Sequence, residues 1–438
     1  MSKKVGMVSL GCSKNRVDSE VLLGILTESG YEIVSDPAQA EIVFVNTCGF
    51  IDDAKQESID AILEMAEYKK TGRLQKLFVT GCLSQRYGEA LFEGMPEVDG
   101  FMGVSEYARV LDMMKDAENG LRPMYLGDGE RFLCAERVLT TPPYTAYVKI
   151  SDGCDNKCAY CAIPLIRGAY RSRLMDDILA ECEKLARRGV TELVLIAQDT
   201  SRYGNDFEEK TLLLPELLHK VSQIEGVHWV RVLYCYPDTV TDELLKEIHD
   251  NPKICPYLDL PLQHINDDLL RRMNRRGTSA HIRRLIERCR EYGVIMRTTM
   301  IVGFPGETEE QFGELLEFVK EAKFDRLGAF AFCPEDGTKA AEMPEQIEDE
   351  VKTRRLDELM LLQQSISMDK NRARVGQTVE ALVDGFEDGA YIARSSLEAP
   401  EIDGVIRIRS EKALKNGAYV RVRLTDCDAY DLMGVIEP

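Results

Sequence analysis

The 438-residue chain has no apolar run approaching the length needed to span a bilayer. It also lacks the charged start, short apolar stretch and small-residue cleavage site of an export signal. These absences argue against a helical membrane protein and predict a cytoplasmic one. A basic surplus is missing too: 55 Lys and Arg face 75 Asp and Glu, a formal charge of −20. A field of that sign repels polyanions and suits basic partners, while also keeping a protein soluble. Internal repeats and low-complexity tracts are absent, which sets aside solenoids and disordered polymers. What remains is globular, and a 44% hydrophobic fraction is ample for cores in two or three domains.

Apolar strand-like runs alternate with amphipathic helical stretches from residue 1 to about 125. KVGMVSL precedes a helix from Ser19, EIVFVN a long helix, and KLFVTG another. Such alternation predicts a doubly wound parallel sheet over 1–128. The stretch 129–143, ending Thr140-Thr141-Pro142-Pro143, reads as a linker. Six further strand candidates, at 146–150, 192–197, 229–234, 257–260, 297–302 and 327–332, predict a partial (βα)6 barrel over 144–371. It closes on a long charged helix from about 348 to 371. Short Val-, Ile- and Arg-rich strands with glycines between them predict a small antiparallel β-barrel over 372–438.

Thirteen cysteines, an odd number, in a chain expected in a reducing compartment point to metal binding or burial before disulfides. Ser151 to Cys161 reads SDGCDNKCAYC, placing Cys154, Cys158 and Cys161 in a CxxxCxxC loop directly after a strand. Three thiolates fit three corners of a [4Fe–4S] cluster and leave one iron open, where the amino and carboxylate groups of S-adenosylmethionine can chelate. A zinc knuckle normally closes with a second ligand pair, and none lies nearby.

Cys12, Cys48 and Cys82 are far apart but share one address, each directly after a predicted strand. Strand C-termini line one edge of a doubly wound sheet, so the three thiols are expected to converge on a second [4Fe–4S] cluster. Helices starting just after them would favour thiolate. Cys134, Cys182, Cys235, Cys255, Cys289, Cys333 and Cys427 are expected to be structural.

GCSKNRVDSE, VNTCGF, TGCLSQRY, CDNKCAYCAIPLIRG, PLQH and IVGFPGET together resemble the methylthiotransferase family of radical S-adenosylmethionine enzymes. The resemblance implies an N-terminal methylthiotransferase domain, a radical S-adenosylmethionine core and a C-terminal TRAM-like barrel. It assigns Cys154, Cys158 and Cys161 to the radical-generating cluster and Cys12, Cys48 and Cys82 to an auxiliary one. It further implies that one S-adenosylmethionine donates a methyl group and another supplies the radical, with both clusters facing one substrate pocket at the domain junction. An electron donor such as flavodoxin or ferredoxin is implied as a partner. Within the family, Gln198 to Gly204 (QDTSRYG) resembles the branch that modifies an aspartate β-carbon of small-subunit ribosomal protein twelve, and not the tRNA-modifying, MiaB-like branch. That protein is basic, and the acidic charge is compatible with docking it.

The segment 372–438 carries nine basic and twelve acidic residues, a net of −3, where a module gripping RNA would show a surplus. Arg407, Arg409, Arg421 and Arg423 are expected to point outward on alternating strands. Tyr160 is placed to pack on bound cofactor. Gln198, Arg231, Gln263 and Thr299, in or just after barrel strands, are candidates to orient its amino acid or ribose, and Gly303 to admit its adenine. Two other readings are a tRNA methylthiotransferase, and a noncatalytic ribosome-binding protein with an iron–sulfur or zinc centre.

Overall fold

The computed structural model describes residues 2–129, 132 and 136–437, so Cys134 lies outside the described residues. The chain opens with β1 (Lys4–Ser9), α1 (Ser13–Glu28), β2 (Glu32–Ile33), β3 (Ile42–Thr47), α2 (Asp52–Thr71), β4 (Lys76–Gly81) and α3 (Cys82–Gly94). β5 (Gly100–Met102), α4 (Val110–Glu118) and β6 (Met124–Tyr125) follow. Six parallel strands form one sheet in the order β2-β1-β3-β4-β5-β6.

β3 and β4 are buried at nearly every position because both faces of the sheet are covered. Val43, Val45, Leu77 and Val79 share one core with Ile62 and Leu83. Ile42, Phe44 and Phe78 share the other with Leu22, Leu26 and Met113. Phe44 and Phe78 stack with ring centroids 5.0 Å apart. The expected helix from Ser19 begins instead at Ser13, where extended backbone at Cys12 turns helical. Its start is masked in the sequence because its buried face is polar, with Asn15, Asp18, Ser19 and Glu20 all enclosed. Glu20 accepts from Arg137 and Thr140 and so pins the end of the linker onto α1.

The remaining chain runs through β7 (Thr145–Lys149), β8 (Ser151–Asp152), α5 (Ile163–Arg167), β9 (Arg171–Ser172), α6 (Met175–Arg187) and β10 (Glu192–Ile196). It continues with α7 (Leu214–Ser222), β11 (Trp229–Val232), α8 (Asp242–Asp250), β12 (Tyr257–Asp259), α9 (Asp267–Arg272), α10 (Ser279–Glu291) and β13 (Ile295–Val302). Next come α11 (Glu309–Ala322), β14 (Arg326–Ala331) and α12 (Asp349–Arg374). All six predicted barrel strands form. They pair in two parallel halves, β7-β10-β11 and β12-β13-β14, and between the halves Val230 bridges Ile254 and the Cys235 N–H donates to Asp259 O at 2.9 Å.

β15 (Thr378–Glu387), β16 (Ala390–Ser395), β17 (Ile406–Arg409), β18 (Tyr419–Cys427) and β19 (Leu432–Ile436) close a barrel. Ala381, Ala393, Ile406, Ile408, Val422, Leu424 and Leu432 fill it. It was expected to be antiparallel throughout, but β17 and β19 run parallel, because the connection through β18 returns the chain to the same end.

The chain divides into two compact units. One holds the N-terminal sheet together with Ser151–Arg173 and Cys333–Ala341. The other holds Thr141–Ile150, Leu174–Phe332 and Glu342–Pro438, that is, the barrel strands, α12 and the C-terminal barrel. No helix among the described residues is long and apolar enough to cross a membrane.

Candidate functional site

All six candidate ligand cysteines fall in the first unit. Cys12 caps α1, Cys48 follows β3 and Cys82 opens α3, so each sits where a strand hands over to a helix. The thiols of Cys12, Cys48 and Cys82 lie within electrostatic reach of one another. Gly11 makes this approach possible: it adopts φ +86°, and a Cβ there would lie 2.9 Å from Cys48 Cβ. Gly81 does the same beside Cys82, with φ +98° and no room for a side chain against Asn46.

Asn15 holds the three loops in register. Its Nδ2 donates to Leu10 O at 3.1 Å and Thr47 O at 2.8 Å, the residues two before Cys12 and one before Cys48. Its Oδ1 accepts from the Cys82 thiol at 3.4 Å and from Arg167 Nη2 at 2.8 Å. One buried amide is thereby satisfied on both ends by the loops that carry all three cysteines.

The thiols differ in acidity. Burial pushes Cys82 up to about 12, with Arg167 pulling the other way. Cys48 is also raised, again chiefly by burial. Cys12 is exposed by surface area yet crowded by protein, as a residue lining a recess is. Burial opposes its ionisation but is outweighed by Lys14, Arg167 and the N–H groups of Asn15 and Lys14, so its pKa is lowered. Three thiols with polar support and a glycine-made close approach fit an iron–sulfur ligand set.

The second set lies on the loop between β8 and α5. Cys154 N–H donates to Gly168 O at 3.1 Å and Cys161 N–H to Cys158 O at 3.0 Å, which folds the loop back on itself. α5 begins two residues after Cys161, and Ala162 and Ile166 pack with Val104 and Cys82 in one apolar cluster. Tyr160, next to Cys161, is half-buried. Cys333, expected to be structural, stands with Asp52 and Glu335 close enough to share one ion. Glu335, however, already accepts from Lys55 at 3.0 Å and Arg86 at 2.6 Å, and Asp52 pairs with Lys55, so the cluster reads as an ion-pair clamp. Arg86 also donates to Gly49 O, fixing the loop just after Cys48.

In the other unit, Gln198 and Gln263 sit just beyond the C-terminal ends of β10 and β12. Both amide atoms of Gln198 and Oε1 of Gln263 are buried without a hydrogen-bond partner, as expected of groups awaiting a polar ligand. Gln263 is also held at φ +73°, a strained conformation for a residue with a side chain, by Thr299 O accepting from its N–H at 2.8 Å. Thr299 thus supports Gln263 through its backbone.

Two further candidates have close partners within the chain. Arg231 is fully buried and donates to Ser396 O, Ser395 O and Glu192, so its guanidinium serves the packing of the C-terminal barrel on β10 and β11. Gly303 has φ +71°, but a Cβ there would strike Lys352 of α12, so the tight neighbour is a helix of this chain. The Gly303 N–H donates to Glu307 Oε2, which Arg355 also reaches at 2.7 Å. His264 accepts from the Asn266 N–H at Nδ1, which leaves its Nε2 proton for Glu307 Oε1 at 3.1 Å.

Asn15, Arg167, His264 and Glu307 lie within the motif segments, but nothing in the local sequence pattern assigns them roles. The usable signal for Asn15 is Asn15, Asp18 and Ser19 at helical spacing on the face where an apolar stripe belongs.

With this geometry in place, comparison with known proteins is decisive. Residues 4–103 match the model of "Uncharacterized protein family UPF0004", 148–319 the radical SAM superfamily and 375–436 the TRAM domain. The ribosomal protein uS12 methylthiotransferase RimO of Thermoanaerobacter sp. (strain X514) is 48% identical over 435 residues, covering 99% of each chain. The chain belongs to the RimO family. RimO of Clostridium kluyveri is 47% identical over 99% of this chain and 98% of its own.

Among solved structures, the radical S-adenosylmethionine methyltransferase TsrM of Kitasatospora setae superposes with a TM-score of 0.58 at 16% identity, covering 78% of this chain and 77% of that one. The cobalamin-dependent S-adenosylmethionine radical enzyme OxsB gives 0.51 at 13% identity, covering 83% and 56%. These two likenesses establish the fold. Family and fold together make the chain a radical S-adenosylmethionine enzyme, a class that works with [4Fe–4S] clusters and S-adenosylmethionine.

Proposed function

We propose that this chain methylthiolates the β-carbon of an aspartate in ribosomal protein uS12, taking the methyl group from one S-adenosylmethionine and the hydrogen-abstracting radical from another. The observation that carries the reading is the convergence of Cys12, Cys48 and Cys82 around Asn15, in one unit with the Cys154, Cys158 and Cys161 loop. On this reading the first three cysteines hold the auxiliary cluster and the second three the radical cluster. When bound, the clusters supply the electron and the sulfur site that ordinary acid–base groups lack for an unactivated C–H bond.

The chain's own residues place and shield these centres. Asn15 and Arg86 fix the loops around the auxiliary thiols, and in the other unit the Gln198 amide and Gln263 Oε1 are unpartnered polar groups suited to an amino acid or ribose. Tyr160 would pack against that cofactor. The RimO relatives are named for uS12, and an acidic chain suits a basic ribosomal protein. The C-terminal barrel supports a protein substrate over tRNA, because Arg407 pairs with Asp431 and Arg421 with Glu437, which leaves less charge for phosphates. A flavodoxin or ferredoxin as reductant and a cytoplasmic setting complete the proposal.

Anaerobic turnover on uS12 tests it. A methylthio mass on one aspartate is expected, together with deoxyadenosine. Cys48→Ala is expected to keep deoxyadenosine formation and lose the methylthio product. Modification of tRNA with uS12 left unchanged would overturn the substrate, and absence of deoxyadenosine would leave a passive centre.

A further inference from the structure

Arg167 donates to one of the auxiliary thiols, Cys82, and it arrives from the other cysteine loop. It lies six residues after Cys161, at the end of α5, with 2% of its side chain exposed. Its Nη2 donates to Asn15 Oδ1 and Asp18 Oδ2, both at 2.8 Å, and to Cys82 Sγ at 3.6 Å. Its Nη1 donates to both oxygens of Asp152, at 3.1 and 3.3 Å, two residues before Cys154. A fork of this kind is held rigidly, because five contacts from four residues fix the guanidinium plane.

We infer that Arg167 is a positioning residue that ties the Cys154–Cys161 loop to Cys82 and raises the reduction potential of the cluster held by Cys12, Cys48 and Cys82. The inference rests on the proposed auxiliary site. An N–H aimed at a cluster thiolate withdraws electron density from sulfur, and a fixed positive charge nearby favours the more negative, reduced state. Nη2 has two hydrogens for three acceptors, so the N–H that reaches Cys82 is shared with an oxygen; Asp18 and Asp152 balance the charge of the guanidinium, and Asp18 tempers the positive field that Cys82 feels. The couple concerned is the one-electron reduction of the cluster from +2 to +1. The electron comes from dithionite in the test below, and no bond to the chain forms or breaks.

The test uses full-length protein with Cys154, Cys158 and Cys161 all changed to Ala, so that only the auxiliary site can load, reconstituted anaerobically with iron and sulfide. About four irons per chain are expected. Failure of this parent to load would sink the auxiliary site itself, separately from the role of Arg167. In the loaded parent, dithionite potentiometry followed by electron paramagnetic resonance gives the midpoint.

Arg167→Gln is expected to lower it enough to cut the reduced-to-oxidised ratio tenfold at fixed potential, about 59 mV for a one-electron couple. Arg167→Lys should fall between the two, and Asp18→Asn should move the midpoint upward. An Arg167→Gln protein that loads its iron and keeps the parent midpoint overturns the inference. If Arg167→Gln does not load, Asp18→Asn decides: an upward shift supports the role, and an unchanged or lower midpoint overturns it.

Discussion

Asn15 concentrates four contacts from four segments in one buried amide, and the first expectation follows from that. Asn15→Ala strands the Leu10 and Thr47 carbonyls and removes the acceptor for Cys82 and Arg167. Each buried group left unsatisfied costs about 1–3 kcal/mol. The predicted result is loss of one cluster, with iron falling from about eight to about four per chain, while the CxxxCxxC site still loads. Iron analysis and the yield of deoxyadenosine check both halves. Asn15→Asp is the sharper variant, since it keeps shape but loses the two amide donations and sets a second carboxylate next to Asp18.

The elements place these residues by handing strands over to helices at the same edge. The same design recurs between β13 and α11, where Glu307 gathers the Gly303 N–H, the His264 ring and Arg355 of α12. Breaking a buried ion pair from one side is strongly destabilising. Glu307→Gln is therefore expected to cost about 3 kcal/mol, because Arg355 loses its buried carboxylate and keeps only the Glu307 backbone O at 3.1 Å and the exposed Glu309 at 2.8 Å. It should also free the Gly303 turn. A lowered melting temperature together with weaker S-adenosylmethionine binding by calorimetry would agree, and an unchanged melting temperature would refute the anchoring role.

For the molecule as a whole, buried ion pairs fasten the C-terminal barrel to the barrel strands within the second unit. Glu192 of β10 accepts from Arg394 of β16 at 2.9 and 3.0 Å. Burial alone would raise its pKa, but Arg394 and Arg231 outweigh that and hold it at about 2. Glu398 is likewise held at about 2, burial being outweighed by Arg374 and Arg326. Both pKa values are depressed, so the stability they contribute is present above pH 4.5 and is lost as pH falls toward 2.

Each contributes roughly 3 kcal/mol at neutral pH. Melting temperatures should fall between pH 4.5 and 3. Arg394→Met should lower stability at pH 7 by about 3–5 kcal/mol and flatten this acid response, because buried Glu192 then has only Arg231 at 3.4 Å and Thr145 at 2.9 Å to favour its charged form. A variant that retains the full acid slope would show that the pair is not its source.

How far the sequence reached follows from the range of each interaction. The six barrel strands, the doubly wound sheet and the CxxxCxxC loop were legible because periodicity and motif spacing are local properties, carried within a few residues. The outward arginines of the last barrel were legible for the same reason, since strands alternate. The partners of Arg231 were not legible, because Glu192, Ser395 and Ser396 lie 39 or more residues away in sequence. Asn15 and Arg167 went without roles because they meet across 152 residues, and a polar side chain in a helix reads as solvated until burial shows otherwise. Sequence alone determined which elements form and that three cysteines share one short loop while three others each follow a strand. Tertiary structure alone decided which buried polar groups satisfy one another, since a hydrogen bond between distant segments leaves no period in the chain.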